Sequence, residues 1–371
     1  MPQVPSLMIR HQPPRSSPTC PVFIPLMALA ATMAAAAMAW SSGAQAAPDL
    51  SPPPAPQICT TAAPACLTTF NPPGTSGTLT YYTSQPALLP SAPTSALIAL
   101  HGHPRDANKT FNAAIPAAQS ASRLSDTLII APLFQVAAEN ASRCETPGAP
   151  TAQPDNIVWT CSSWMAGGAG KVASAPSITS FAALDALIDD LHQRYPSIKT
   201  ITVFGFSAGA QTIQHYIGFA NPGAASTVRL RFVVSDPGTW LYFDAYRPKP
   251  PADPATCPTI NTWKYGTDKL PANLGRTAAQ ARAHYAQAEV HYMEGALDTG
   301  DGRAAYYKIL DKSCAAQAQG PYRLERGLAY AAYDRKLIAP QKNREVTVVP
   351  DCGHKVECVL PSPAARPVVF P

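Results

Sequence analysis

The chain has 371 residues, 46% of them hydrophobic and 14% charged, which is enough to build one large buried core. Its formal charge of +5 includes Arg10 and Arg15 in an N-terminal stretch without acids, leaving 26 basic against 23 acidic residues. So small an excess, dispersed over a large domain, excludes a nucleic-acid surface and a polybasic membrane patch as organising features.

Arg10 and Arg15 precede an apolar, alanine-rich run from Pro21 to Trp40, and Ala44-Gln45-Ala46 offers a small-x-small cleavage site. Residues 1–46 therefore read as a signal peptide, and the mature protein as secreted or periplasmic with no stable membrane insertion. An uncleaved anchor is the competing reading, because the run is long enough to span a bilayer. Of nine cysteines, Cys20 lies before the apolar run. The remaining eight form an even set behind an export signal, as expected of disulfides in an oxidising compartment. Eight cysteines allow 105 pairings. The simplest is sequential: Cys59 with Cys66, Cys144 with Cys161, Cys257 with Cys314, and Cys352 with Cys358. No spacing resembles a zinc site, and no metal is expected.

Residues 47–78 are rich in Pro, Ala and Thr and read as an extended lead-in. Leu79–Thr83 alternates as a half-buried first strand. Ala96–Leu100 is apolar throughout, as a strand covered on both faces should be, and ends in His101-Gly102-His103-Pro104. A helical pattern covers Lys109 to Arg123, followed by a buried strand over Thr127–Ala131. The stretch from Pro132 to Pro176 reads as a long functional or mobile loop holding Trp159, Trp164 and Gly167-Gly168-Ala169-Gly170. Phe181, Leu184, Leu187, Ile188 and Leu191 mark one face of a helix, with Thr179 or Ser180 as N-cap.

The β-branched run Thr200–Val203 then leads into Gly205-Phe206-Ser207-Ala208-Gly209, followed by a second helical pattern. Strand, Gly-x-Ser-x-Gly and helix together predict a sharp turn that lifts the Ser207 hydroxyl out of the sheet. Leu230–Val234 is the next strand, ending at Ser235-Asp236-Pro237-Gly238. Residues 236–287 lose the strand–helix rhythm and read as a cap-like insertion with many aromatics. Ala288–Met293 and Val346–Val349 are the last strands. Strands separated by helices predict a parallel sheet covered on both faces.

A serine hydroxyl needs a base to take its proton, and the base needs a partner to fix its tautomer. In this architecture the order along the chain is Ser, acid, His. His354, in Gly353-His354 after the last strand, is the one histidine that follows both Ser207 and Asp298; His284 and His291 come before Asp298. Asp298 and Asp236 compete for the acid, Asp298 being favoured and Asp301 a weaker third. An oxyanion hole needs backbone donors: Ala208, next after the nucleophile, and His103, since Pro104 has no N–H. His101 and His103 lack a nearby third metal ligand in sequence. Trp240 and Tyr242, with Asp236, are candidate walls of a substrate pocket; core packing is the alternative for these aromatics.

These motifs resemble the α/β-hydrolase superfamily over nearly all of the chain past residue 79. The resemblance rests on His101-Gly102-His103, Gly205-Phe206-Ser207-Ala208-Gly209, Leu297-Asp298 and Gly353-His354. It is closest to a branch of secreted hydrolases with Asn-Pro or Asp-Pro after the strand following the serine, as at Asp236-Pro237. That branch also carries a Trp-rich loop like Trp159-Thr160-Cys161-Ser162-Ser163-Trp164. It implies Asp298 as the acid and a pocket-wall role for Asp236; polyester depolymerases and feruloyl esterases are more distantly similar. The resulting expectation is an α/β-hydrolase domain over 79–371. It would cleave a small-molecule or polymeric ester through an acyl-enzyme, with no cofactor and no nucleic-acid partner. A peptidase or amidase, an acyltransferase and a non-catalytic binding protein are the alternatives.

Overall fold

The computed structural model describes residues 58–86, 92–144, 148–173 and 175–371. The expected signal peptide and most of the Pro-rich lead-in lie outside these residues. The strands are β1 (Leu67–Phe70), β2 (Leu79–Thr83), β3 (Ser95–Leu100), β4 (Thr127–Leu133), β5 (Gln135–Val136), β6 (Val158–Trp159), β7 (Ala169–Val172), β8 (Ala175–Thr179), β9 (Thr200–Phe206), β10 (Arg229–Ser235), β11 (Glu289–Gly295) and β12 (Val346–Val349). The helices that matter here are α1 (Ala107–Ser120), α2 (Ala141–Cys144), α3 (Ser180–Arg194), α4 (Ala208–Phe219), α5 (Ala278–Gln287), α6 (Cys314–Gln317), α7 (Arg323–Tyr333) and α8 (Val356–Val359).

Eight strands form the main sheet in the order β1-β2-β4-β3-β9-β10-β11-β12. From β4 to β12 every neighbouring pair is parallel, whereas β2 runs antiparallel to both β1 and β4. The apolar runs of the central strands follow from this burial. In β3, Ala96, Ile98 and Leu100 pack with the α3 and α4 layer, and Leu97 and Ala99 face the α1 and α8 layer. The two-residue period of a strand thus feeds both cores at once. Because the strands are parallel, the loops after β3, β9, β10, β11 and β12 all emerge at one edge of the sheet. Ligands in such open sheets bind outside the carboxyl ends of the strands.

Two stretches are more ordered than their composition suggests. Leu67–Phe70, read as part of the lead-in, is an antiparallel edge strand on β2, anchored by the Cys59–Cys66 disulfide. The expected long loop after β4 instead holds a small sheet in the order β5-β6-β7-β8. Cys144 and Cys161 are joined across it, and Trp164 is fully buried against Phe134 and His101. The other two disulfides are Cys257–Cys314 and Cys352–Cys358, so all four pairs are sequential. Among the described residues no helix is long and apolar enough to cross a membrane.

The insertion between β10 and β11 is irregular but firmly packed. Trp240 stacks on Tyr330 of α7 with ring centroids 4.4 Å apart, and its backbone N–H and carbonyl both pair with the Gln319 side chain. Tyr242 packs on Tyr333, with the Arg247 guanidinium over its ring. Trp240 and Tyr242 are both fully buried. This corrects their assignment as walls of a substrate pocket: they are core, because α7, which carries their partners, arrives from far along the chain. Trp240→Ala is expected to cost about 3–5 kcal/mol of folding stability in urea unfolding. A shift in substrate affinity with stability unchanged would restore the pocket-wall role.

Candidate active site

Ser207 sits between β9 and α4 with φ 57° and ψ −119°, a conformation that side chains rarely adopt. The turn is sharp because strand and helix almost touch. A Cβ on Gly209 would lie 2.5 Å from the His101 carbonyl oxygen, and one on Gly205 would meet the Gly209 backbone. Only glycine fits either position. The Ser207 N–H donates to the Ser235 carbonyl (3.0 Å), pinning the turn to the end of β10.

Ser207 Oγ lies 2.8 Å from His354 Nε2, and His354 Nδ1 lies 2.6 Å from Asp298 Oδ2. Residues separated by 147 and 56 positions along the chain thus form one hydrogen-bonded line. Asp298 follows β11, with its N–H donating to Gly295 (3.0 Å). His354 follows β12 on a short loop closed by Cys352–Cys358. That loop is also held from outside: the His354 N–H donates to the Ala304 carbonyl (2.7 Å), and Leu297 N–H to Cys352 (2.8 Å). A Cβ on Gly353 would sit 2.5 Å from the Ala304 oxygen, so the residue before the histidine must be glycine.

The loop after β3 lies beside the serine. A Cβ on Gly102 would be 3.7 Å from the Ser207 Cβ. His101 is fully buried, with Nδ1 2.8 Å from the Gly102 carbonyl and Nε2 accepting the Phe134 N–H (3.1 Å). Both its nitrogens are used, and burial pushes its pKa down to about 3, so it is a neutral structural imidazole. The Gly102 N–H donates to Asp106 Oδ1 (3.1 Å), which fixes the backbone that presents His103. Ala208 opens α4, and its N–H is one of the donors that a helix leaves without an internal acceptor.

Several charged groups gather behind the line. Asp298 Oδ1 pairs with Arg323 of α7 (3.3 Å), and both side chains are buried. Burial lifts the Asp298 pKa to about 6, opposed chiefly by Arg323. Burial and then Arg323 push His354 down to about 3, so its ring is neutral. Asp236, the competing acid, is fully buried next to the line without belonging to it. Its Oδ1 accepts the Gly295 N–H (2.7 Å) and its Oδ2 the Ser235 hydroxyl (2.6 Å). Asp301 is exposed in the loop beyond. Sequence reading missed Arg323, because nothing near it in the chain hints that a helical arginine points at a distant carboxylate.

A cleft of about 790 Å³ lies beside the loop that carries His354, lined by Leu297, Arg303, Tyr306, Ile309, Gly353 and Lys355 among others; Ser207 and His354 are not part of its wall. Leu297, Tyr306 and Ile309 are largely exposed, and the Tyr306 ring lies 6.2 Å from the imidazole. The aromatic and aliphatic side chains of this segment carry no periodic signal in the sequence.

No protein-family model matches the chain, and neither does any curated protein. Among solved structures it is similar to poly(aspartic acid) hydrolase-1 from Sphingomonas sp. KT-1. The TM-score is 0.56 at 19% identity, over 85% of this chain and 100% of that one. The chain has the α/β-hydrolase fold. It is also similar to the poly(3-hydroxybutyrate) depolymerase LpqC from Bordetella parapertussis, with TM-score 0.49, 19% identity, and 76% and 81% of the two chains covered. For the siderophore hydrolase EstB from Aspergillus nidulans the values are 0.43, 11%, 83% and 94%. Within the α/β-hydrolase fold, the serine turn and the loops after β11 and β12 hold the hydrogen-bonded line.

A fluorophosphonate is expected to label Ser207, with a rate that falls as pH drops below about 6. There Asp298 takes up a proton, and the imidazole loses the carboxylate that fixes its tautomer and stabilises its charged form. A Cys352→Ser/Cys358→Ser double variant should label more slowly while keeping wild-type circular dichroism, since it frees the histidine loop. Unchanged labelling would mean that the Ala304 and Leu297 contacts suffice.

Proposed function

We propose that this protein is an exported serine hydrolase that cleaves carboxylic esters through an acyl-enzyme. The observation that carries the reading is the 2.8 Å contact from Ser207 Oγ to His354 Nε2, continued at 2.6 Å to Asp298. Ser207 attacks the ester carbonyl while His354 Nε2 takes its proton. Asp298 holds the imidazole with Nδ1–H toward itself and stabilises the imidazolium that forms. The developing oxyanion is received by the Ala208 and His103 N–H groups. His354 then returns the proton to the leaving alcohol, and the same steps with water release the acid. These side chains and water complete the cycle.

The cleft beside the loop that carries His354 is assigned to the substrate, with Leu297, Tyr306 and Ile309 offering apolar contact. An N-terminal segment with the pattern of a signal peptide and four disulfides support export. A second reading is amide hydrolysis by the same groups. The structural neighbour at TM-score 0.56 is named for a poly(aspartic acid) substrate, whose backbone is an amide.

Hydrolysis of short and long p-nitrophenyl esters, beside the matching anilides, tests both readings. Ser207→Ala should lower ester turnover by about 10⁴- to 10⁶-fold. Turnover of anilides at rates comparable to esters would favour the amidase. Equal inactivity of wild type and variant, with no fluorophosphonate labelling, would favour a binding protein.

A further inference from the structure

Four carboxyl groups crowd the space behind the serine–histidine line, and among the described residues one arginine faces them. Asp236 directly follows β10, Glu294 lies near the end of β11, Asp298 follows that strand, and Glu325 is on α7 beside Arg323. One carboxyl oxygen from each of Asp236 and Asp298 and one ring nitrogen of His354 lie within 4.8 Å of one another. The two aspartates are in hydrogen-bonding contact, and both are fully buried. Two carboxyl groups this close, away from water, resist ionising together, so the second proton is held to a higher pH than an ordinary carboxyl would hold it.

The surroundings decide which of the two carries it. Asp298 has the Arg323 guanidinium at 3.3 Å and the imidazole that becomes positive during the proposed reaction. Asp236 has only neutral donors, the Gly295 N–H and the Ser235 hydroxyl. Charge therefore belongs on Asp298 and the proton on Asp236. We propose that Asp236 is a neutral carboxylic acid that donates its O–H to the Asp298 carboxylate, positioning the residue that orients His354.

Within the serine-hydrolase reading, on which this rests, Asp236 is a positioning residue and touches no reacting atom. Its backbone φ of 55° and its N–H bond to Met293 (3.1 Å) hold the carboxyl at the joint between β10 and β11. Ionised Asp298 then takes three donors: His354 Nδ1–H, Arg323 and Asp236. The groups facing Asp236 are Asp298, His354 and Glu294, with Arg323 and Glu325 behind them. Burial, and then the Asp298 charge, lift the Asp236 pKa to about 7. Its proton is present below that pH and lost above it. Burial likewise raises the Glu294 carboxyl, fully buried between strand and helix, well above the usual carboxylate range.

The test compares wild type with Asp236→Asn and Asp236→Ala, each checked for folding by circular dichroism. Asparagine keeps a neutral donor where alanine leaves none. Asp236→Ala should lower kcat by about 10- to 100-fold with KM little changed, the effect of losing one hydrogen bond to a charged group. Asp236→Asn should recover most of that loss. Wild type is expected to slow above about pH 7, where Asp236 ionises, and Asp236→Asn should not. Infrared difference spectra at pH 6 provide a readout independent of turnover. The carboxylic-acid C=O band of wild type should lose the Asp236 contribution in Asp236→Asn. An asparagine variant as slow as alanine, an alanine variant as fast as wild type, or a C=O band unchanged by Asp236→Asn would overturn the proposal. Failure of the hydrolase reading would appear separately, as turnover that survives Ser207→Ala.

Discussion

The structure depends on how closely two backbones can approach where β9 turns into α4. Ser207 is held at positive φ, a departure that costs of order 1–3 kcal/mol in isolation. It persists because the surroundings over-determine it. Gly205 and Gly209 let strand and helix meet without a Cβ between them, the Ser207 N–H is tied to β10, and every residue of α4 is buried. A helix enclosed on all sides cannot relax the turn by moving away. The hydroxyl is therefore presented by packing, with the helix N-terminus and its free N–H groups behind it.

The parallel sheet then does the assembling. Five strand ends open on one edge, and the loops leaving them carry His103, Ser207, Asp236, Asp298 and His354. Each loop is short where it matters and is held by a backbone bond or a disulfide, as at Ala304 with His354 and at Cys352–Cys358. The more exposed stretch 301–309 carries the apolar side chains of the cleft. Precision thus lies on the rigid strand ends, and room for variation in the segment between them.

Electrostatics behind the serine follow from the same burial. Neutral imidazoles at positions 101 and 354 reflect exclusion of water, one serving structure and one facing Ser207. The acids resist ionisation for the same reason, and a single arginine selects which of them carries charge. Arg326, equally buried, has the different task of clamping the carbonyls of Gly238, Gly320 and Asp311, which fastens the aromatic insertion to α7.

Much of this was legible in the chain because the signals are local. Strands over Leu79–Thr83 and Ala96–Leu100 show in their own side chains, and Gly205-x-Ser207-x-Gly209 states its turn through the glycines it requires. Order along the chain singled out His354 as the candidate base once Asp298 was favoured as the acid, and sequential pairing was the simplest of the 105 open to the eight cysteines. Other features had no local signal. Leu67–Phe70 looks like loop until β2 supplies its hydrogen bonds, and the chain after Pro132 hides a small sheet whose strands run only two to five residues. Trp240 and Tyr242 read equally well as pocket or core, since an aromatic side chain serves both and the choice rests with Tyr330 and Tyr333, some 90 residues on. The choice between Asp236 and Asp298 as partner of His354 was of the same kind. By itself the sequence determined which residue types were available and in what order the strands delivered them, because turn chemistry and side-chain alternation act between neighbours. Which carboxylate meets the imidazole, which arginine supports it and which carboxyl holds its proton to a higher pH were decided by tertiary structure, because Coulomb interaction and desolvation depend on distance and burial in space.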